Sequence, residues 1–342
     1  MPAAGPEIRE TISLLLTVKN EAASLPTLLP SIREQSRLPD ELIIIDGGSD
    51  DGTYETLLAF AAERSRRGAG FRVLVEQLTG ANISQGRNAA VARSRGSILA
   101  ITDAGVVLPE DWLENITAPL RKDREWDVVS GFFHALPQNS FELALSAVTL
   151  PLSHEINRQR FLPSSRSIAL RRSAWERVGG YPEWLDYGED LILDLRLRAR
   201  GARFLFLPTA SVGYRPRKNL PEYGRQYFRY ARGDGKANLW PMRHAVRYSV
   251  YLLLTPALIY LGIFLHGVFF LLLLLGALLY LGPLYRRLPA LAKRNPGLQL
   301  WQRCFAWFWV APLRAYGDLA KMLGYPLGWW WRLRHRPPPW RP

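Results

Sequence analysis

The sequence predicts an α/β protein whose mostly parallel sheet carries helices on both faces, followed by a membrane-embedded helical hairpin. Two observations point there. Unbroken apolar runs of strand length, at 12–18, 42–45, 71–75 and 98–101, alternate with helically spaced segments at 24–36, 53–66 and 84–94. Strands buried on both faces read as continuous runs, and intervening helices make the sheet parallel. Second, residues 248–285 form a run of 38 residues without one Lys, Arg, Asp or Glu. About 20 apolar residues already cross a bilayer. The composition break divides the chain into a soluble domain (1–240), two transmembrane helices (247–285) and a basic, Trp-rich tail (286–342).

The elements follow in order. Ser24 before Leu25-Pro26 marks one helix start, and Thr53, closing a Gly/Asp-rich loop, marks another. The strand ends carry polar residues: Lys19-Asn20-Glu21, the loop 46–53 (DGGSDDGT) and Asp103-Ala104-Gly105. Ligands of such sheets bind beyond those ends. From about residue 126 the pattern is mixed. Strands are expected at 128–131, 167–170 and 204–207, and helices at 140–150 and 189–200, the last stopped by Gly201. A polar, aromatic helix or loop fills 221–238.

The apolar run splits at His266-Gly267 into 248–265 and 268–285, each long enough to cross a bilayer. Arg243 and Arg247 at the entry and Arg286 and Arg287 at the exit place both ends on the cytoplasmic side. A re-entrant pair that never fully crosses is the competing reading. Residues 301–334 hold six of the twelve tryptophans, a composition suited to interfacial helices. The bland alternative packs this segment on the soluble domain. The end of the chain, HRPPPWRP, is expected to be disordered.

Charge narrows the function. The formal net charge is +14, of which +10 lies in 286–342 and +3 in 1–246. The excess therefore sits beside the apolar run, where it suits an anionic leaflet and membrane lipids, and not on the domain, where a nucleic-acid footprint belongs. A single cysteine, Cys304, allows no intrachain disulfide. No signal peptide is visible in residues 1–10. The domain is expected on the cytoplasmic side of a cell (inner or plasma) membrane.

Three loops carry candidate chemistry. In 46–53, glycines let a ligand approach the backbone, the following helix start favours phosphate, and Asp46 can accept bonds from a base or ribose. Asp103 can ligate a divalent cation on a diphosphate. Glu189-Asp190 opens a helix, where one carboxylate can act as general base. Taken singly, each has a plain structural reading: a turn Asp for the first two, a dipole-complementing acid for the third.

Together they resemble a family. A first strand ending in Asn20-Glu21, then DGGSDDGT, GRNAA at 86–90, the strand before Asp103, GGYPE at 179–183 and GED at 188–190 are, in that order, similar to the inverting GT-A glycosyltransferases of family 2. Gln226-Tyr227-Phe228-Arg229-Tyr230 resembles the QxxRW element of that family's membrane-embedded synthases. The resemblance covers about residues 10–238. It implies a nucleotide-sugar donor, with Asn20 and Glu21 lining the substrate site, Asp46 recognising the nucleoside, and Arg87 and Asn88 near the nucleotide. Asp103 would hold Mn2+ or Mg2+, and Asp190, beside Glu189, would be the base. Gln226, Arg229 and Tyr230 would lie against substrate, with Arg229 steadying the departing diphosphate.

The chain departs from the family pattern in three places. Gly105 replaces the second acid of the DxD motif, Tyr230 the Trp of QxxRW, and Gly47 an acid often found in the first loop. With two membrane segments, these favour transfer of one or a few sugars to a lipid-linked or envelope-glycan acceptor over processive synthesis. A catalytically degenerate nucleotide-sugar-binding scaffold at the membrane is the rival reading, supported by Gly105. A dinucleotide enzyme is disfavoured, because no GxGxxG follows the first strand.

Overall fold

The computed structural model describes residues 10–66 and 70–340. Residues 1–9, most of the stretch read as lacking a signal peptide, and the last two residues of the tail lie outside the described part. The described chain divides into two compact units. The first runs to His134 and resumes over Ile156–Tyr214. The second comprises Ala135–Glu155 and Arg215–Pro339.

The first unit begins as an alternating α/β layer. Strands β1 (Ile12–Val18), β2 (Glu41–Asp46), β3 (Arg72–Gln77) and β4 (Ile98–Ile101) are interleaved with α1 (Leu25–Arg33), α2 (Thr53–Arg66) and α3 (Ile83–Arg93). They pair parallel in the order β3-β2-β1-β4. Beyond β4 the expected parallel sheet becomes mixed. The short β5 (Val106–Val107) and α4 (Trp112–Lys122) follow, then β6 (Val128–Ala135). In the second unit α5 (Ser140–Thr149) intervenes before β7 (Ile168–Arg171), α6 (Arg172–Val178), α7 (Glu189–Ala199) and β8 (Phe204–Tyr214) complete the first. The full order is β3-β2-β1-β4-β7-β6-β8-β5, with β7 antiparallel to both β4 and β6 and β8 antiparallel to β5.

Two cores flank this sheet because its strands are apolar on both faces. Leu14 and Leu16 pack with Leu28, Phe60, Trp112 and Leu113, from α1, α2 and α4. Leu15, Ile43 and Ile45 pack with Val91, Ala174 and Leu193, from α3, α6 and α7. Adjacent residues of β1 thus serve opposite faces, as the two-residue pleat requires. One helix start differs from expectation. The Ser24 hydroxyl donates to the Glu21 carboxylate (2.7 Å) and does not cap α1.

The second unit is helical. It holds α5, α8 (Leu220–Ala237), α9 (Pro241–Tyr248), a π-helical stretch at Ser249–Leu254, α10 (Thr255–Phe264), α11 (Val268–Arg294) and α12 (Leu300–His335). The polar helix α8 belongs here, in the part that resumes at Arg215. Glycines let it pack. A Cβ at Gly317 would meet the Tyr223 hydroxyl, one at Gly324 the Phe228 carbonyl, and one at Gly328 the Arg232 carbonyl. The backbones of α8 and α12 approach closely because these α12 positions carry no side chain. The 36 residues of α12 run unbroken through Pro312 and Pro326, a single helix in place of several.

Pro241–Phe264 and Val268–Arg294 are long and apolar enough to cross a membrane. Most of their apolar side chains before Leu284 are bare: Leu253, Phe264 and Leu279 are 68%, 71% and 71% exposed. That excludes the core-helix explanation of their composition. Where these helices meet α12, Asp318 is fully buried, accepts from Arg247 Nε (3.0 Å) and from the Tyr251 (3.2 Å) and Tyr280 hydroxyls, and is ion-paired with Arg314, whose Nε lies 3.2 Å away and donates to Tyr280.

Candidate active site

The loops after β1 and β2 are laced together. Asn20 holds a left-handed φ of 56° and accepts from the Asp50 N–H (3.0 Å), while its own N–H donates to Ser49 Oγ (2.9 Å). The Glu21 N–H donates to Thr53 Oγ1 (2.9 Å). Asp46, expected to read a nucleoside, is fully buried and turned into its own loop. Its Oδ2 accepts from the Gly48 and Ser49 N–H groups (3.0 Å each) and from Gln77 Nε2 (2.8 Å), and its Oδ1 from Ser49 Oγ. Burial alone would raise this carboxyl, but those bonds outweigh it and hold it below its ordinary range. Asp46 is therefore the organiser of this loop.

Helix α3 delivers the central cation. Asn82 caps it in a reciprocal box with Gln85, and Gly86 lets it approach β1, since a Cβ there would overlap the Thr17 side chain. Asn88 pins the 179–183 segment to α3, donating to the Tyr181 carbonyl and Glu183 carboxylate (2.9 Å each) and accepting from the Tyr181 N–H (2.9 Å). Gly180, with φ 75°, packs where a side chain would strike Trp175 and Asn88.

One residue further in, the Arg87 side chain is 4% exposed and lies between two carboxylates. Its Nη1 donates to Glu189 Oε1 (2.6 Å) and its Nη2 to Asp103 Oδ1 (2.8 Å). The Tyr181 ring lies 5.2 Å from the guanidinium carbon. Burial opposes the Arg87 charge, but Asp103 and Glu189 more than restore it and hold the group protonated. Glu189 is itself buried. Burial and the Asp190 charge push its carboxyl up, against the pull of Arg87.

The two acids of the pair thus differ. Glu189 is locked in an ion pair. Asp190 is half-buried, and one of its oxygens accepts from the Leu191 N–H (2.8 Å) at the start of α7. Gly188, with φ 80°, makes the turn that opens this helix.

The structure therefore brings together Arg87, Asp103 and Glu189, with Asp190 adjacent in the chain. Asn20, Glu21 and Asp46 build the neighbouring loops. Gln226, Arg229 and Tyr230 lie on α8 in the second unit, where Gln226 donates to the Tyr230 hydroxyl (2.8 Å) and accepts from Arg217 (3.3 Å). Two residues of the site escaped the sequence reading. Tyr181 lies inside GGYPE, a stretch that carries the family resemblance without assigning a role to its ring. Arg166 bears no motif; the one available signal was a basic residue just before an apolar strand. Its Nε stands 3.7 Å from Asp103 Oδ2.

Known proteins share this sequence family and this fold. Residues 13–176 match the family described as Glycosyl transferase family 2. The succinoglycan biosynthesis protein ExoA of Rhizobium meliloti is 29% identical over 241 residues, covering 67% of this chain and 71% of that protein. Glycosyltransferase AglE of Haloferax volcanii is 24% identical over 234 residues, covering 67% and 74%. Among solved structures, the mannosyltransferase PcManGT from Pyrobaculum calidifontis, in complex with GDP-Man and Mn2+, superposes with a TM-score of 0.63 at 20% identity. It covers 95% of this chain and 89% of its own. That last likeness concerns the fold. The buried Arg87 knot thus sits at the strand ends of a GT-A fold, and the chain carries a glycosyltransferase family 2 domain.

Proposed function

We propose that this protein is a membrane-anchored, inverting glycosyltransferase. It moves a sugar from a nucleotide sugar to a lipid-linked or envelope-glycan acceptor. The observation that carries the reading is the division of labour in Glu189-Asp190. Arg87 immobilises Glu189 at 2.6 Å, while half-buried Asp190 sits next to it at the mouth of α7. A carboxylate held on a rigid helix start is placed to act as a base.

In this mechanism Asp190 takes the proton of the acceptor hydroxyl. The hydroxyl oxygen bonds to the anomeric carbon as the bond to the diphosphate oxygen breaks, and the nucleoside diphosphate leaves. One in-line displacement inverts the centre. Arg87 fixes Asp103 and Glu189, so the acids need not reorganise as charge moves. The loop ordered by Asp46, with Asn20 and Glu21, receives the nucleoside side of the donor, and Asn88 holds the wall beside it. Arg229, with Gln226 and Tyr230, serves the departing diphosphate or the acceptor.

The fit to a metal rests on the donor set. Among the described residues, no three His, Cys, Asp or Glu side chains gather as a ready cage. Mn2+ or Mg2+ accepts one or two carboxylates completed by phosphates and water. Asp103, 27% exposed, fits that requirement. It would hold an ion arriving with the donor, which when bound supplies positive charge to the diphosphate.

The bare apolar helices and the basic residues around them support anchoring, with the catalytic unit on the cytoplasmic side. The test is a nucleotide-sugar panel on the detergent-solubilised protein with Mn2+ and membrane lipid extract, following nucleoside diphosphate release. Release from one donor, abolished by Asp190→Asn, is expected. Release that persists in Asp190→Asn rejects Asp190 as the base.

A further inference from the structure

We propose that Arg166 is a diphosphate-binding residue of this site, a second cation that shares with any metal the task of holding the donor. The inference rests on the glycosyltransferase reading and adds a binding residue to it.

Placement is the first argument. Arg166 lies just before β7, the strand that pairs with β4, in the register Ile101 to Ile168. The Thr102 hydroxyl donates to the Arg166 carbonyl (2.8 Å), which fixes Arg166 beside the strand end that bears Asp103.

Support is the second. The guanidinium carbon stands 5.7 Å from the Phe133 ring centre and 5.2 Å from that of Tyr214, and Nη1 donates to Ser164 Oγ (3.3 Å). Aromatic faces steady a guanidinium without consuming its N–H groups. The side chain remains 24% exposed, so it is held in position with part of its surface within reach of a ligand.

Its relation to Asp103 is the third. Arg87 takes Oδ1 at 2.8 Å, whereas Arg166 stands off Oδ2 at 3.7 Å. The first is a hydrogen bond and the second exceeds that range. Arg87 is buried between two carboxylates and stays with them. Arg166, farther from Asp103 and partly exposed, is placed to meet phosphate oxygens, which suit its planar fork.

Charge explains why the chain needs it. Asp103, Glu189 and Asp190 carry three formal negative charges, and Arg87 offsets one. A diphosphate would enter against the rest. Gly105 supplies no second acid to draw in a metal, so a fixed guanidinium at the outer side of Asp103 lowers that repulsion.

The experiment measures binding of UDP, GDP, CDP and dTDP, and of the corresponding nucleosides, to the full chain in detergent. Each is measured in Mn2+ and in excess EDTA, for wild type, Arg166→Gln and Arg166→Lys. One nucleoside diphosphate is expected to bind wild type even in EDTA. Arg166→Gln should lower that affinity about tenfold or more, Arg166→Lys should recover part of it, and the nucleoside should bind all three alike. Equal diphosphate binding by wild type and Arg166→Gln in EDTA overturns the proposal. So does a parallel loss for nucleoside and diphosphate, which would mark a merely structural role. If no nucleoside diphosphate binds wild type under either condition, the donor-site reading itself fails and this inference goes with it.

Discussion

Arg87 donates to Glu189 across 2.6 Å, and both side chains are more than nine-tenths buried. Removing one partner of such a pair leaves an uncompensated charge inside the protein, at a cost of about 3–5 kcal/mol. Arg87→Met is therefore expected to lower the melting temperature of the detergent-solubilised protein by about 10 °C. Adding Glu189→Gln should restore a large part of that loss. A double variant as unstable as the sum of its singles would mean that the two residues are not coupled.

Asp190 bears on that knot through its charge and is not one of its hydrogen-bond partners among the described residues. Asp190→Asn keeps its size and can still accept from the Leu191 N–H. Donor binding and melting temperature should stay near wild type, while kcat falls about 10²–10⁴-fold. A donor KM that rises with kcat unchanged would assign Asp190 to binding.

Gly105 is a natural position for restoring an acid. Its backbone φ is ordinary and a Cβ there meets nothing within 4 Å. Gly105→Asp should fold normally and bind Mn2+ about tenfold more tightly, since a second carboxylate joins the first. Paramagnetic resonance of free Mn2+ reads this without turnover. Unchanged Mn2+ affinity would place the metal elsewhere than at Asp103.

Much of the first unit was legible because its signals are local. The apolar runs at 12–18 and 98–101 coincide with β1 and β4, and the segment 189–200 with α7 to within one residue. Helices α4 and α6 were missed. In α4 the buried Trp112, whose Nε1 donates to Ser167 Oγ (2.9 Å), depends on a partner 55 residues away. The site was half legible for the same reason. Asp103 and Glu189 announce themselves by the strand and helix they sit on. Arg166 becomes significant only when β7 pairs with β4, and Asp46 turns inward because Gln77, from β3, reaches it. Residues 221–238 read as polar from their charged and amide side chains, while the close approach of α8 to α12, at Gly224 and Gly235 as at the α12 glycines, leaves no mark in hydropathy.

Asp194 offers a pH test. It lies one turn beyond Asp190 on α7, is 1% exposed, and neither carboxylate oxygen has a hydrogen-bond partner among the described residues. Burial, then the Asp190 charge, push its carboxyl well above the ordinary value, against Arg198. The native state therefore holds this proton more tightly than the unfolded chain does. Its contribution to stability is full below the ordinary carboxylate range and is lost as pH rises from there toward the native value. Asp194→Asn cannot ionise, so its melting temperature should gain on wild type as pH rises from about 4 to about 8. A constant difference across that range would show that the carboxyl titrates as in the unfolded chain.

The packing of α8 against α12 can be tested separately from the chemistry. A methyl group at Gly324 would overlap the Phe228 carbonyl and crowd the Arg232 N–H. Both obstacles are backbone, so relief requires the helices to separate. Overpacking of this kind costs about 1–3 kcal/mol. Gly276 is a suitable control, because a Cβ there meets nothing within 4 Å. Gly324→Ala is expected to melt several degrees below wild type, and Gly276→Ala within a degree of it. Because Gln226, Arg229 and Tyr230 ride on α8, sugar transfer should fall in Gly324→Ala if those residues serve substrate. Binding of the nucleoside alone, which the Asn20 and Asp46 loops are proposed to receive, should be spared. Lost stability with undiminished transfer would leave α8 a structural strut and remove Arg229 from the mechanism.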